Sequence, residues 1–127
     1  MVDDQDAVRW SVAGLLADTF RVVGMAQNGK EAIELADLLC PDVVVLDIGM
    51  PVLNGIEAAE QLRASHYPSK VVFMSMHADP EFVEAAFAAG GMGYVLKSSL
   101  AKDLVSAIWQ AIEGRPFVSP GLHYSTH

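Results

Sequence analysis

The run at residues 43–46 (VVVL) places four apolar residues in succession and ends on Asp47. A strand exposed on one face alternates apolar and polar residues, whereas a strand covered on both faces stays apolar throughout. Residues 71–74 (VVFM) repeat the pattern and end on Ser75. These two runs predict parallel strands that are packed between two layers of helices.

Helical patterns alternate with strand-like segments along the whole chain. Apolar residues recur at a spacing of three or four in the predicted helices, and β-branched residues concentrate in the segments between them. Alternation of this kind predicts one α/β domain with a doubly wound parallel sheet, whose polar groups gather at the carboxyl ends of the strands. The predicted helices cover residues 6–18, 32–39, 55–64, 80–90 and 100–114, and the predicted strands cover 20–26, 42–46, 70–75 and 93–96.

Composition excludes several classes of protein. The 127 residues are 52% hydrophobic, which suffices for the core of a single domain. The net charge of −8 makes direct binding of nucleic acid by this domain a poor expectation, because phosphate contacts need a basic face. With no leader-like start and no apolar run of about 18 residues, we expect a cytoplasmic protein without membrane contact.

Cys40 is the only cysteine, so no intrachain disulfide is possible, and we expect it to be buried at a helix end.

Polar groups at the predicted strand ends suggest one chemical site. Asp47, Ser75 and Lys97 each end a strand, and Asp3 and Asp4 directly precede the first helix. Clustered carboxylates repel one another and need a counter-charge, which Mg²⁺ supplies with oxygen ligands. A carboxylate activated in this way can attack phosphorus. Each residue taken alone is better explained as a cap, but five at matching ends favour a site.

The motifs MVDD, VVVLDIGMPVLNG, VVFMSMHA and GYVLKSS occur in this order along the chain. In that combination the sequence resembles the response-regulator receiver domain of bacterial two-component signalling, over about residues 1–115. The resemblance implies a flavodoxin-like (CheY-like) parallel sheet with strand order 2-1-3-4-5. The remaining residues, 116–127, resemble a linker towards a helix-turn-helix DNA-binding output domain.

The resemblance also implies a role for each residue of the site. Asp47 would accept the phosphoryl group from a histidine kinase, and the chain would act as a signalling switch, with no enzymatic activity beyond self-phosphotransfer and slow self-dephosphorylation. The implied metal site holds Mg²⁺ through Asp3, Asp4, Asp47 and the carbonyl of Gly49. The implied phosphate-contacting and switch residues are Ser75, Lys97 and Tyr94.

The first strand departs from the family pattern. Only Met1 and Val2 precede Asp3, where the family places about five apolar residues, the usual length of a strand. In the order 2-1-3-4-5 that strand is central, so its loss exposes two strand edges. We therefore expect weakened Mg²⁺ binding and a rearranged homodimer or one formed by strand or domain exchange. Two alternatives remain open: the strand beginning near Phe20 closes up against residues 42–46, or Met1 is not the true start of the protein. A second departure is Ser98, where many members have a cis proline, and we expect a trans bond there.

Two alternatives remain beside the switch. The chain is a binding or dimerisation module if the short first strand has abolished phosphorylation. A hydrolase with an aspartate nucleophile is disfavoured, because enzymes of the haloacid-dehalogenase type carry a second aspartate two residues after the first, and here Gly49 occupies that position.

Overall fold

The computed structural model describes residues 6–26, 28–49, 54–64 and 69–120. Five α-helices lie within these ranges, at positions close to those predicted. Their bounds are α1 Asp6–Leu16, α2 Gly29–Leu39, α3 Gly55–Ala64, α4 Pro80–Ala88 and α5 Leu100–Ile112. A short 3₁₀ helix, Lys97–Ser99, leads into α5.

A parallel sheet forms the centre of the domain. In spatial order its described strands are β1 (Val43–Asp47), β2 (Lys70–Ser75), β3 (Gly93–Leu96) and β4 (Phe117–Val118). Asp47 pairs with Met74 and Ser75 pairs with Leu96, so the carboxyl ends of the first three strands lie side by side. The predicted flavodoxin-like α/β fold is confirmed.

Side chains of the sheet alternate between two apolar layers. Leu46 and Phe73 face a cluster built with α2, α3 and α4. Val45 and Val72 face the opposite cluster, built with α1 and α5. Both faces of the central strands are therefore buried, which is the reason for the uninterrupted apolar runs.

The predicted strand at residues 20–26 is wrong. Residues 21–25 have no regular secondary structure, and only Ala26 forms an isolated bridge. The segment has strand-forming residues, but among the described residues no neighbouring strand pairs along its length. The fourth strand is instead β4, within residues that we predicted to be a linker. Its register with β3 (Gly93 with Phe117, Tyr94 with Val118) gives it backbone partners that local sequence cannot reveal.

Side chains cap some of the helix ends and not others. The Asn28 side chain accepts a hydrogen bond from the Glu31 N–H and caps α2, and Asn54 and Glu57 form a reciprocal capping box at the start of α3. Ser99 precedes α5 and makes no such side-chain bond. Cys40 does end α2, in a left-handed conformation (φ 47°), but it is exposed and not buried as predicted.

The peptide bonds of the described segments, including Lys97–Ser98, are trans, as expected. None of the helices in these segments has the length and apolar character needed to cross a bilayer.

Candidate functional site

Asp47 lies at the carboxyl end of β1, and its side chain is almost wholly buried (4% exposed). The Lys97 Nζ atom lies 3.1 Å from its Oδ2 atom. The Gly49 N–H donates to its Oδ1 atom across 3.2 Å. The chain thus holds a buried carboxylate that contacts the Lys97 ammonium and accepts a hydrogen bond from the Gly49 N–H.

The turn after Asp47 depends on close backbone packing. The Gly55 N–H donates to the Ile48 carbonyl, which brings the start of α3 against the end of β1. A Cβ atom at Gly55 would lie 2.4 Å from the backbone oxygen of Asp47. Only glycine fits at this position, because any side chain at residue 55 would clash with the backbone at the end of β1.

Ser75 ends β2 and is buried beside the acceptor strand. Its Oγ atom accepts a hydrogen bond of 2.9 Å from the His77 N–H. The His77 carbonyl in turn accepts a hydrogen bond of 2.8 Å from the Tyr94 hydroxyl. The backbone of His77 therefore links the two predicted switch residues, a connection that we did not predict.

Tyr94 lies on β3 with none of its side chain exposed. Burial raises the pKa of its phenol above the ordinary value of 10.0; a hydrogen bond with Ser75 opposes this rise, and the negative charge of Asp79 adds to it. The His77 ring stacks on Phe82 with centroids 4.4 Å apart, so the loop that accepts the Tyr94 hydroxyl is anchored to α4.

The described site residues form two groups near the carboxyl ends of β1, β2 and β3. Asp47 contacts Gly49 and Lys97, and Ser75 is linked to Tyr94 through the backbone of His77. The predicted metal ligands Asp3 and Asp4, and residues 50–53 of the motif, lie outside the described residues.

Sequence comparison with known proteins also indicates a receiver domain. The family described as the response regulator receiver domain matches residues 1–109. The nitrate/nitrite response regulator protein NarL of Escherichia coli is 37% identical over 124 residues, which are 96% of this chain and 57% of NarL. The response regulator GacA of Pseudomonas aeruginosa is 37% identical over 122 residues, 94% of this chain and 57% of GacA. The chain therefore spans somewhat more than half the length of these curated relatives.

Solved structures agree in fold. The signal receiver domain of a response regulator NarL from Mycobacterium tuberculosis superposes with a TM-score of 0.86 at 34% identity, covering 90% of this chain and 94% of that one. A LuxR-family response regulator from Aurantimonas gives a TM-score of 0.90 at 36% identity, covering 95% and 88%. The chain belongs to the response-regulator receiver domain family.

Proposed function

We propose that this receiver domain is a phosphorylation-dependent switch and that Asp47 is its acceptor. The observation that carries the proposal is the buried Asp47 carboxylate at a strand end, 3.1 Å from the Lys97 ammonium and bonded to the Gly49 N–H. A surface carboxylate would have no need of such partners. A nucleophile that must meet an anionic phosphoryl group does need them, since the positive charge offsets the repulsion.

The proposed partner is a histidine kinase that carries a phosphorylated imidazole. An Asp47 carboxylate oxygen attacks the phosphorus and forms a P–O bond while the P–N bond breaks. The imidazole nitrogen keeps the electron pair and takes a proton from water. Lys97 pairs with the phosphoryl oxygens as it now pairs with Asp47, and no other catalytic group is required of this chain.

The described oxygen donors fit a hard divalent cation. The Asp47 carboxylate and the Gly49 carbonyl belong to one strand end and the turn after it, and carboxylate and carbonyl oxygens are the ligands that Mg²⁺ takes. Asp3 and Asp4 are the proposed further ligands. When bound, Mg²⁺ would neutralise the charge of the carboxylate and of the incoming phosphoryl group.

Ser75 and Tyr94 are the proposed switch. A phosphoryl oxygen on Asp47 would compete for the Ser75 hydroxyl, whose Oγ atom now accepts from the His77 N–H. A shift of His77 would alter the carbonyl that holds the Tyr94 hydroxyl. Phosphorylation of Asp47 would thereby change the conformation of the surface between β3 and α4, to which partners would bind.

The acceptor is tested by incubation with acetyl phosphate and Mg²⁺, followed by intact mass measurement. We expect the unmodified chain and Asp42→Asn to gain one phosphoryl group and Asp47→Asn to gain none. Asp42 directly precedes β1 and therefore lies at the opposite end of the same strand, which makes it a matched control. Undiminished labelling of Asp47→Asn would refute the assignment.

The biological output is inferred from the relatives. NarL and GacA are named as response regulators, and other relatives are named as transcriptional regulatory proteins. We therefore propose that the domain controls transcription in the cytoplasm through an output domain. It would do so as a homodimer, with strand exchange as one route to dimerisation. The chain acts in signalling and is not proposed to be an enzyme in its own right.

One observation favours a second candidate, a binding module without phosphorylation. Within the described residues β2 is the only strand that pairs with β1, so the sheet shows no strand on the opposite side of β1. A loosened first strand would fail to hold Asp3 and Asp4 near Asp47. Mass gain that requires Mg²⁺ supports the switch, whereas a chain that stays unlabelled at every Mg²⁺ concentration supports the binding module.

A further inference from the structure

Ser119 is a buried polar residue that takes no part in the switch as proposed above. It directly follows β4 and is 1% exposed. Its N–H donates to the Tyr94 carbonyl across 3.0 Å. Its Oγ atom accepts a hydrogen bond of 3.1 Å from the Leu96 N–H. Ser119 therefore bonds to β3 on both sides of Val95, at the carboxyl end of that strand.

The Ser119 hydroxyl extends the hydrogen-bond ladder between β3 and β4. In a regular parallel pair, backbone N–H groups donate at even intervals to backbone carbonyls of the neighbouring strand. The Ser119 N–H donates to the Tyr94 carbonyl in this way. The Leu96 N–H instead donates to a side-chain oxygen. The next residue, Pro120, has no N–H with which to donate a further bond. The Ser119 side chain thus satisfies a backbone donor at the end of β3.

The bond at Leu96 lies one residue before Lys97. Leu96 is the last residue of β3 and the N-cap of the 3₁₀ helix that begins at Lys97. Its pairing with Ser75 holds it from the side of β2, and Ser119 holds it from the side of β4. The Lys97 ammonium lies at the end of a flexible four-carbon stem. Its approach to within 3.1 Å of the Asp47 carboxylate therefore depends on where the backbone places the start of that stem.

We propose that Ser119 is a positioning residue for Lys97 in the transfer of a phosphoryl group to Asp47. This inference rests on the proposed function. The Ser119 hydroxyl fixes the Leu96 N–H, and the backbone at Leu96 fixes the start of the Lys97 side chain. A lysine that is held in place meets the incoming phosphoryl oxygens without first being ordered, which speeds the transfer. The family match ends at residue 109, so the role belongs to a segment outside the matched residues.

The test compares two serine variants. Ser119→Ala removes the side-chain acceptor and leaves the backbone of β4 as it is. Ser69→Ala is the matched control, because the Ser69 Oγ atom donates to the Pro41 carbonyl at the amino ends of β1 and β2. Both variants lose one hydrogen bond between a side chain and the backbone, but only the bond of Ser119 lies beside Lys97.

The first measurement is the initial rate of phosphoryl gain with acetyl phosphate and Mg²⁺. We expect this rate to fall by about five-fold in Ser119→Ala, the factor that corresponds to one hydrogen bond, and to change by less than about two-fold in Ser69→Ala. The midpoint of urea denaturation should fall in both variants. A loss of stability alone would then be excluded as the cause of the slower transfer.

Acetylation of Lys97 reports its position without any phosphorylation. The Lys97 side chain is 17% exposed and is paired with Asp47. The reagent is a limiting amount of the N-hydroxysuccinimide ester of acetic acid, and peptide mass mapping follows. Lys97 should react about five-fold faster in Ser119→Ala than in the unmodified chain. The exposed lysines should react at unchanged rates; they are Lys30, Lys70 and Lys102.

Hydrogen exchange at the Leu96 amide measures the bond itself and should become faster in Ser119→Ala but not in Ser69→Ala. Unchanged acetylation of Lys97 in Ser119→Ala would overturn the proposal, as would equal slowing of phosphoryl transfer by both variants. If the unmodified chain gains no phosphoryl group, the proposed function fails. Acetylation of Lys97 and exchange at Leu96 would still decide whether Ser119 positions the lysine.

Discussion

Enlarging a buried alanine normally destabilises a protein, but at Ala36 we expect the reverse. Ala36 is buried on α2 and lines the groove of about 330 Å³ beside β1. Ala36→Leu adds three carbon atoms, each contributing about 0.8 kcal/mol when buried, or roughly 2.4 kcal/mol together. Ordering the larger side chain costs about 0.5–1 kcal/mol. The net expectation is a stabilisation of about 1.5–2 kcal/mol.

Urea denaturation followed by circular dichroism measures this difference directly. The midpoint should rise without a change in the slope, and the melting temperature should rise by about 5–9 °C for a domain of this size. Ala107→Leu is the matched control, because Ala107 is fully buried on α5 and does not line the groove. There the same change overpacks the core and should cost about 1–3 kcal/mol. Equal destabilisation by both variants would refute the reasoning, since it would mean that the groove cannot admit a side chain from α2.

Four further predictions follow from the site and the sheet. Tyr94→Phe removes the 2.8 Å bond to the His77 carbonyl and should cost about 1 kcal/mol in urea denaturation at neutral pH; an unchanged midpoint would contradict it. The pKa of Tyr94 is raised in the folded chain, so the neutral phenol contributes to the free energy of unfolding. This contribution is fully present below pH 10.0 and is lost as the pH rises through the folded pKa. The free energy of unfolding should therefore fall more steeply above pH 10.0 in the unmodified chain than in Tyr94→Phe. Gly55→Ala places a Cβ atom 2.4 Å from the Asp47 carbonyl oxygen and should destabilise the folded domain by about 2 kcal/mol or more. Its control is Gly14→Ala on α1, where the space around the glycine is open. That substitution should stabilise the domain by about 0.5–1 kcal/mol. The isolated chain should be a dimer in light scattering after gel filtration. A concentration-independent species of 13.6 kDa would show that the edge of β1 opposite β2 does not drive association.

Residues close to one another in the sequence determined much of the fold. The uninterrupted run before Asp47 predicted a strand buried on both faces, and β1 is that strand, one residue displaced from the predicted bounds. Spacing and caps predicted the helices, since a helix satisfies its backbone within its own length. The same reasoning predicted that Asp47, Ser75 and Lys97 meet, because parallel strands present their carboxyl ends at one edge.

Tertiary structure decided what depends on a distant partner. Residues 20–26 have the composition of a strand, but they form no regular strand, and no strand of the described residues pairs along their length. Phe117 and Val118 form a strand because β3 lies beside them. The inward position of Tyr94 follows from a hydroxyl bond to a backbone carbonyl 17 residues away in the sequence. Strand pairing and buried hydrogen bonds join residues far apart along the chain. Local sequence therefore determines only the propensity of a segment to form a strand. Whether the strand forms depends on the partner that the tertiary fold places beside it.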